Sequence, residues 1–278
     1  MRFFFNILII FLPFSAFSQN INLIKDLNDA QKKTFLNLLQ KDSKVSIFSI
    51  QHQHYLDSII TILPKDPFYL QQKAMPLFKQ KKYELGLIYL NKAVELDTTN
   101  FYREYRAFIK CIFQKNYTEA NQEFDWLISK YSNGIVMDHT YYFYKALSLL
   151  QLNRLDEAED QLKKSFKYSL DNKFDPNPTE LFYMGIIFYE KEQYEIAIKY
   201  FDDCLKQYPQ FSDALYYKAK CKYYLKDKIQ ALALLKEVRS YYSQGYSINE
   251  ANAFYEDYPY QIKKWIIDDA IGQIGGEN

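Results

Sequence analysis

A small residue returns at near-regular intervals along most of this chain. Gly86, Ala120, Ala158, Ala197 and Ala231 lie 34, 38, 39 and 34 residues apart. A similar run precedes them, as in YELG, YTEA, LDEA and YEIA, and a large apolar residue follows four positions on: Leu90, Phe124, Leu162, Phe201 or Leu235. Self-similarity with a base period of 34 is the mark of stacked helical hairpins, each burying its apolar face against its neighbours, and not of one compact core. The expected fold is all-α, an α-solenoid of stacked antiparallel helix hairpins.

Composition agrees. Gly (7) and Pro (8) are scarce, and Pro lies largely between helical patterns. An apolar fraction of 48% excludes global disorder. The 35 basic and 34 acidic residues nearly cancel, which leaves no electrostatic footprint for nucleic acid or an anionic membrane. The three cysteines, Cys111, Cys204 and Cys221, fall on apolar helix faces and read as buried small hydrophobes. Cys204 and Cys221 stand on consecutive helices, so a pairing between them is the alternative.

The chain opens MRFFFNILIIFLPFSAFSQN. Arg2 precedes an apolar run from Phe3 to Phe14, and Ala16 and Ser18 are spaced like a cleavage site. Residues 1–18 therefore read as a secretory signal peptide, with Gln19 as the first mature residue. The run of 12 is short of the roughly 20 residues that span a bilayer, so a membrane anchor is the lesser reading. No Cys near the cut offers a lipid anchor, and no later segment reads as spanning. The expected product is exported, to the periplasm or cell surface of a Gram-negative bacterium, with no membrane insertion after cleavage.

The residues from about 66 to 240 resemble the tetratricopeptide repeat family. The best copy is LFYMGIIFYEKEQYEIAIKYFDDCLKQYP, from Leu181 to Pro209. It places Leu181, Gly185, Phe188, Tyr194, Ala197, Phe201, Cys204 and Pro209 at the family's positions. Small residues at Gly185 and Ala197 let two helices approach, and Phe188 and Phe201 fill the space beside them. Weaker copies begin at Asp66 (Ala74, Gly86, Leu90, Ala93), Phe101 (Cys111, Tyr117, Ala120, Phe124), Thr140 (Tyr142, Ala146, Ala158, Leu162) and Ser212 (Ala219, Tyr223, Ala231, Leu235). The second departs from the pattern at Phe108, where a small residue is expected, and the fifth is read with one residue deleted from its inner turn. Extra residues fall between hairpins, at Tyr131–Asp138 and Asp171–Pro178.

The organisation expected is a leader over 1–18, N-terminal helices forming a degenerate repeat or cap over 19–65, five repeats over 66–245, and capping helices with a tail over 246–278. Leu56, Ile59 and Pro64 keep the leading segment in step with the period. Two short closing helices are expected at Ile248–Tyr255 and Pro259–Ile271, with Trp265, Ile266 and Ala270 covering the end of the stack. Pro76 is expected either to kink the first helix of the first repeat or to delay its start.

No chemistry-bearing motif stands out. His52 and His54 are two apart, which on a helix points them away from each other, so they do not grip one metal. The chain has no H-E-x-x-H, G-x-S-x-G, G-x-G-x-x-G or phosphate-binding glycine loop. Acidic pairs such as Asp202-Asp203, Glu256-Asp257 and Asp268-Asp269 read as solvated charges. No catalytic residue, metal ligand or cofactor is assigned.

The resemblance implies a groove lined by the first helix of each hairpin. Its positions here are Phe68, Gln71, Met75 and Phe78; Tyr102, Tyr105, Ile109 and Ile112; Phe143, Leu147 and Leu150; Phe182, Ile186 and Tyr189; and Tyr216 and Tyr223. The lining is aromatic and aliphatic. The Lys and Asn of clamps that hold a terminal carboxylate are replaced by Tyr105, Phe143, Ile109 and Leu147. Such aromatics serve either as anchors for a ligand or as packing against the next helix. The function implied is a non-enzymatic scaffold for another protein or peptide, with a glycan-binding module as the alternative and an all-helical enzyme with carboxylates from separate helices as the third.

Overall fold

The computed structural model describes residues 23–276, so the expected leader over 1–18 lies outside the described residues. The chain forms two compact units, one ending at Arg106 and the other beginning at Ala107.

Unit 1 is built from α1 (Asp29–Asp42), α2 (Ile50–Ile62), α3 (Pro67–Lys79), α4 (Tyr83–Leu96) and the first half of α5 (Phe101–Ile112). Local chemistry sets the helix starts. Asn28 and Gln31 form a reciprocal capping box on α1, and Asp66 accepts from the Phe68 amide with Pro67 in the first turn of α3. Phe35 of α1, Leu56 and Ile59 of α2, Leu63 and Tyr69 share one core. Pro76 neither interrupts α3 nor delays it: the helix runs from Pro67 to Lys79 with the proline buried. Its ring forfeits one helical hydrogen bond, and the apolar surroundings of Leu77 and Phe78 hold the helix through it.

Unit 2 continues α5 and adds α6 (Tyr117–Tyr131), a two-stranded antiparallel ladder of β1 (Ile135–Val136) and β2 (His139–Thr140), then α7 (Tyr141–Gln151), α8 (Leu155–Asp171), α9 (Pro178–Glu190), α10 (Tyr194–Gln207), α11 (Ser212–Tyr224), α12 (Lys228–Ser243) and α13 (Lys264–Gly275). The helices pack as consecutive antiparallel pairs, α7 with α8, α9 with α10 and α11 with α12, each pair against the next: an α-solenoid.

The periodic small residues sit at the contacts that the sequence assigns to them. Ala120, Ala158, Ala197 and Ala231 are wholly buried, as are Leu90, Phe124, Leu162, Phe201 and Leu235. A methyl added at Gly185 would lie 2.4 Å from Phe201 Cε1, and one at Gly86 2.5 Å from Phe78 Cε1. Phe108, the residue out of pattern, is also buried; its ring meets Phe113 and Tyr144 edge-on.

A second periodicity is visible only in the backbone. Lys81, Lys115, Asn153, Glu192 and Lys226 all have positive φ, between 57° and 67°. Each lies five residues before one of the five periodic small residues. In four of these turns the next amide donates 2.9 Å back to the carbonyl five residues earlier: Lys82 to Leu77, Arg154 to Leu149, Gln193 to Phe188 and Asp227 to Lys222. These are Schellman closures, which satisfy the last carbonyls of the first helix and turn the chain into the second. The inner turn of the fifth hairpin, 225–227, is as long as 191–193, so no residue is deleted there. Tyr223 lies one residue beyond the place that matches Phe188.

The C-terminal part departs from expectation. Ile248–Tyr255 is not helical, and the closing helix is a single one, α13, beginning at Lys264 rather than Pro259. Ile267, Ala270 and Ile274 of α13 pack on Leu235 and Val238 of α12, while Trp265 is 70% exposed. The residues from 246 to 263 lie elsewhere and bear on the site. All three cysteines are buried and free. Cys204 Sγ lies 3.2 Å from the Pro178 carbonyl, and Cys111 Sγ is 3.5 Å from Ser148 Oγ.

Candidate functional site

The expected groove positions divide by unit. In unit 1, Phe78 and Tyr102 are buried, whereas Phe68, Met75 and Tyr105 keep part of their surface. Phe68 meets Tyr69 edge-on at 5.0 Å. Gln71 is buried and hydrogen-bonds the Tyr105 hydroxyl. In unit 2, Ile109, Ile112, Phe143, Leu147, Leu150, Phe182, Ile186 and Tyr216 are buried, and Tyr189 and Tyr223 are half-buried.

A further stretch of unit 2 lies against the same helices. The stretch from Gly245 to Lys263 runs as a strap across the first helices of successive hairpins. Its carbonyls are taken by side chains of those helices and their turns: Tyr183 Oη of α9 donates 2.8 Å to the Pro259 carbonyl, and Lys115 Nζ donates to that of Asp257. Tyr208 Oη donates 3.3 Å to the Ser247 carbonyl, and Ser212 Oγ donates to that of Tyr246. Its side chains are held as well. Glu250 Oε1 lies 3.0 Å from His139 Nε2 and accepts from Thr179 Oγ1 at 2.9 Å. Tyr258 stands beside the Tyr144 hydroxyl of α7, which donates 3.0 Å to the Met137 carbonyl, and Tyr260 lies beside Glu190 and meets the Tyr217 ring at 5.8 Å.

Asp213, in the first turn of α11, fastens both ends. Its Oδ2 accepts from Ser247 Oγ (2.8 Å) and the Ile248 amide (3.1 Å), and its Oδ1 accepts from the Ile262 amide (2.8 Å). The side chain is wholly buried, and desolvation pushes its carboxyl up to about 6 despite these donors. The two feet of the strap therefore stand side by side, and the residues between them form an Ω-loop. Burial also raises the hydroxyls of Tyr144 and Tyr183 well above the usual tyrosine range and the Cys111 thiol to about 12, so these groups are neutral hydrogen-bonding and packing elements.

Two clefts open here, one beside His139 and one beside Glu250. One of about 330 Å3 is lined by Ile135, His139, Thr140, Phe174, Asn177 and Glu180. Beneath it Thr140 Oγ1 lies 2.6 Å from Ser165 Oγ, which donates 2.5 Å to Glu180. The other, about 580 Å3, is lined by Thr179, Tyr208, Phe211, Tyr246 and Glu250 among others. His52 is buried against Asp42 at 2.6 Å and His54 is exposed, so the two diverge as their spacing requires. Among the described residues no group of three His, Cys, Asp or Glu side chains is placed to hold a metal ion. What the arrangement does chemically is hold backbone.

Asp213, Lys115, His139 and Glu250 were not singled out as functional from the sequence. Each looks ordinary there: an acid in a first helical turn, a turn lysine, an isolated histidine, a surface acid. Only their convergence on one strap gives them a role.

Hairpin geometry, recurrent Schellman turns and buried small contacts define a helical repeat protein, and comparison with known families says which. Tetratricopeptide repeat models match residues 113–166, 181–210 and 213–245. The chain is a tetratricopeptide repeat protein, and its architecture is that of a protein-interaction scaffold. A tetratricopeptide repeat protein from Parabacteroides merdae has the same fold: TM-score 0.63 at 13% identity, over 87% of this chain and 99% of that one. PilW, described as a type IV pilus biogenesis factor, superposes with TM-score 0.60 at 13% identity over 82% of this chain and all of that one. PilF of Pseudomonas aeruginosa gives 0.53 at 16%, over 82% and 94%. At these identities the likeness is one of fold. No curated protein matches the chain by sequence.

Proposed function

We propose that this chain is a non-enzymatic scaffold of the cell envelope that binds an extended segment of another protein along the first helices of its hairpins. One observation carries the reading: the α7–α9–α11 face of unit 2 already holds a non-helical loop of polypeptide, its carbonyls gripped by Tyr183 and by Lys115 of the turn after α5, and its amides by Asp213. Recognition through main-chain groups, with pockets for alternate side chains, is how grooves take peptides of varied sequence. The repeats of unit 2 supply the surface, and within unit 1 Phe68, Met75 and Tyr105 are partly exposed. The leader-like first 18 residues support the envelope assignment, as does the fold shared with a pilus biogenesis factor. Among the described residues no helix is long and apolar enough to cross a membrane. The rings of Phe143 and Phe182 are buried among neighbouring rings, Phe143 stacked on His139 at 4.0 Å, and offer no open platform to a sugar, which favours a protein segment over a glycan.

The test is site-specific photo-crosslinking in growing cells. A photoreactive residue replacing the half-buried Tyr189 or Tyr223 is expected to give one discrete protein adduct, and the same residue at the 83% exposed Ile229 of α12 none. Absence of an adduct at both groove positions, or equal labelling at Ile229, would overturn the reading.

A further inference from the structure

The strap raises a question that the scaffold reading leaves open, namely how a partner reaches a face that is already covered. Four strap residues, Ile248, Tyr258, Pro259 and Ile262, are buried. The rest are half-buried or exposed, and the hold on them is largely polar. Gly245 at the leading foot, φ 88°, ends α12 with its amide on the Tyr242 carbonyl at 2.9 Å, and nothing lies within 4 Å of where a Cβ would stand, so no side-chain packing holds the strap at that point. At the other foot α13 has its own apolar anchorage on α12. Both feet meet at Asp213. Lifting a loop whose ends already touch changes no helix position and costs little closure entropy. At the crest Phe254 is 87% exposed, an aromatic side chain that the closed state leaves unburied.

We propose that residues 248–262 are a removable occupant of the α7–α9–α11 face, and that the partner segment displaces them by presenting the same chemistry. That chemistry is legible in the strap: a carboxylate that reaches His139 and Thr179, as Glu250 does, eight residues further on an aromatic hydroxyl beside Tyr144, and at the ninth a main-chain carbonyl for Tyr183. The partner is thus a non-helical segment carrying an acid followed eight residues on by a tyrosine, and the strap is its built-in competitor. The proposal rests on the scaffold reading and specifies its site.

The experiment uses the full chain and one probe, the fluorescein-labelled peptide of residues 248–262. In a variant, a Gly/Ser linker of equal length replaces those residues. Fluorescence anisotropy is expected to show the peptide binding the linker variant at least tenfold more tightly than the unaltered chain, and His139→Ala in the variant is expected to reduce that binding. Equal binding to both chains overturns the proposal, as does no binding to either. Should the linker variant lose its helical circular dichroism, the strap is part of the core and the proposal also falls. Hydrogen exchange on the unaltered chain gives an independent reading: strap amides are expected to exchange at least a hundredfold faster than those in the middle of α9, and equal protection overturns the proposal. A cellular partner that cross-links equally to both chains would defeat displacement and leave the scaffold function standing. Peptide binding without any cellular partner would do the reverse.

Discussion

At Gly185 two opposing quantities meet. Alanine is a better helix former by up to about 1 kcal/mol. Its methyl would lie 2.4 Å from the buried Phe201 ring, and overpacking of that kind costs about 1–3 kcal/mol. The steric term wins, so Gly185→Ala is expected to destabilise the chain by about 1–2 kcal/mol in urea unfolding; a gain in stability would mean that the glycine is not a helix–helix contact. Asp213 makes a second residue-level prediction. Its carboxyl is raised from an ordinary 3.8 to about 6 by burial, so between these values the folded chain binds a proton that the unfolded chain does not. Its contribution is fully present below pH 3.8 and is lost as pH rises through 6, a change of about 2–3 kcal/mol. Asp66, buried at the start of α3 and also raised to about 6 by desolvation, acts in the same direction. Unfolding free energies measured at pH 4.5 and pH 7 are expected to differ less in Asp213→Asn than in the unaltered chain. An unchanged difference would remove Asp213 from the account.

At the level of the element, the hairpin turns carry strain that the residues there do not advertise. A non-glycine residue in the left-handed region costs about 1–2 kcal/mol, and glycine gives back about 0.5–1 in unfolded-state entropy. Glu192→Gly and Lys226→Gly are therefore each expected to stabilise by about 0.5–1 kcal/mol. Asn153→Gly should gain less, since asparagine tolerates that conformation. Lys115→Gly should gain nothing, because that lysine also holds the Asp257 carbonyl. Thermal unfolding of the four variants checks the order. The helix pattern itself was readable, because a small residue and a large one four positions apart must share a face whatever the neighbours are. The turns were not, because Lys, Asn and Glu in left-handed geometry look like surface residues. The short ladder at 135–140 was hidden too: the residues around Asn133-Gly134 announce only a turn, and positive φ at Met137 and Asp138 completes the hairpin.

For the molecule as a whole, the strap separates two kinds of side chain. Phe254 at its crest touches little, and Phe254→Ser is expected to change stability by less than about 0.5 kcal/mol. Tyr183→Phe removes a buried bond to the Pro259 carbonyl and is expected to cost about 0.5–1.5 kcal/mol, with faster exchange of the strap amides and not of α9. If exchange quickens throughout unit 2 instead, strap and helices open as one unit. The period of small and large residues was enough, alone, to determine the hairpin fold and the family, because contacts between adjacent helices are local in sequence and repeat with it. What covers the first helices was decided only in three dimensions. Lys115, His139, Tyr183 and Asp213 are separated from their strap partners by up to 142 residues, and no local pattern encodes a meeting at that distance.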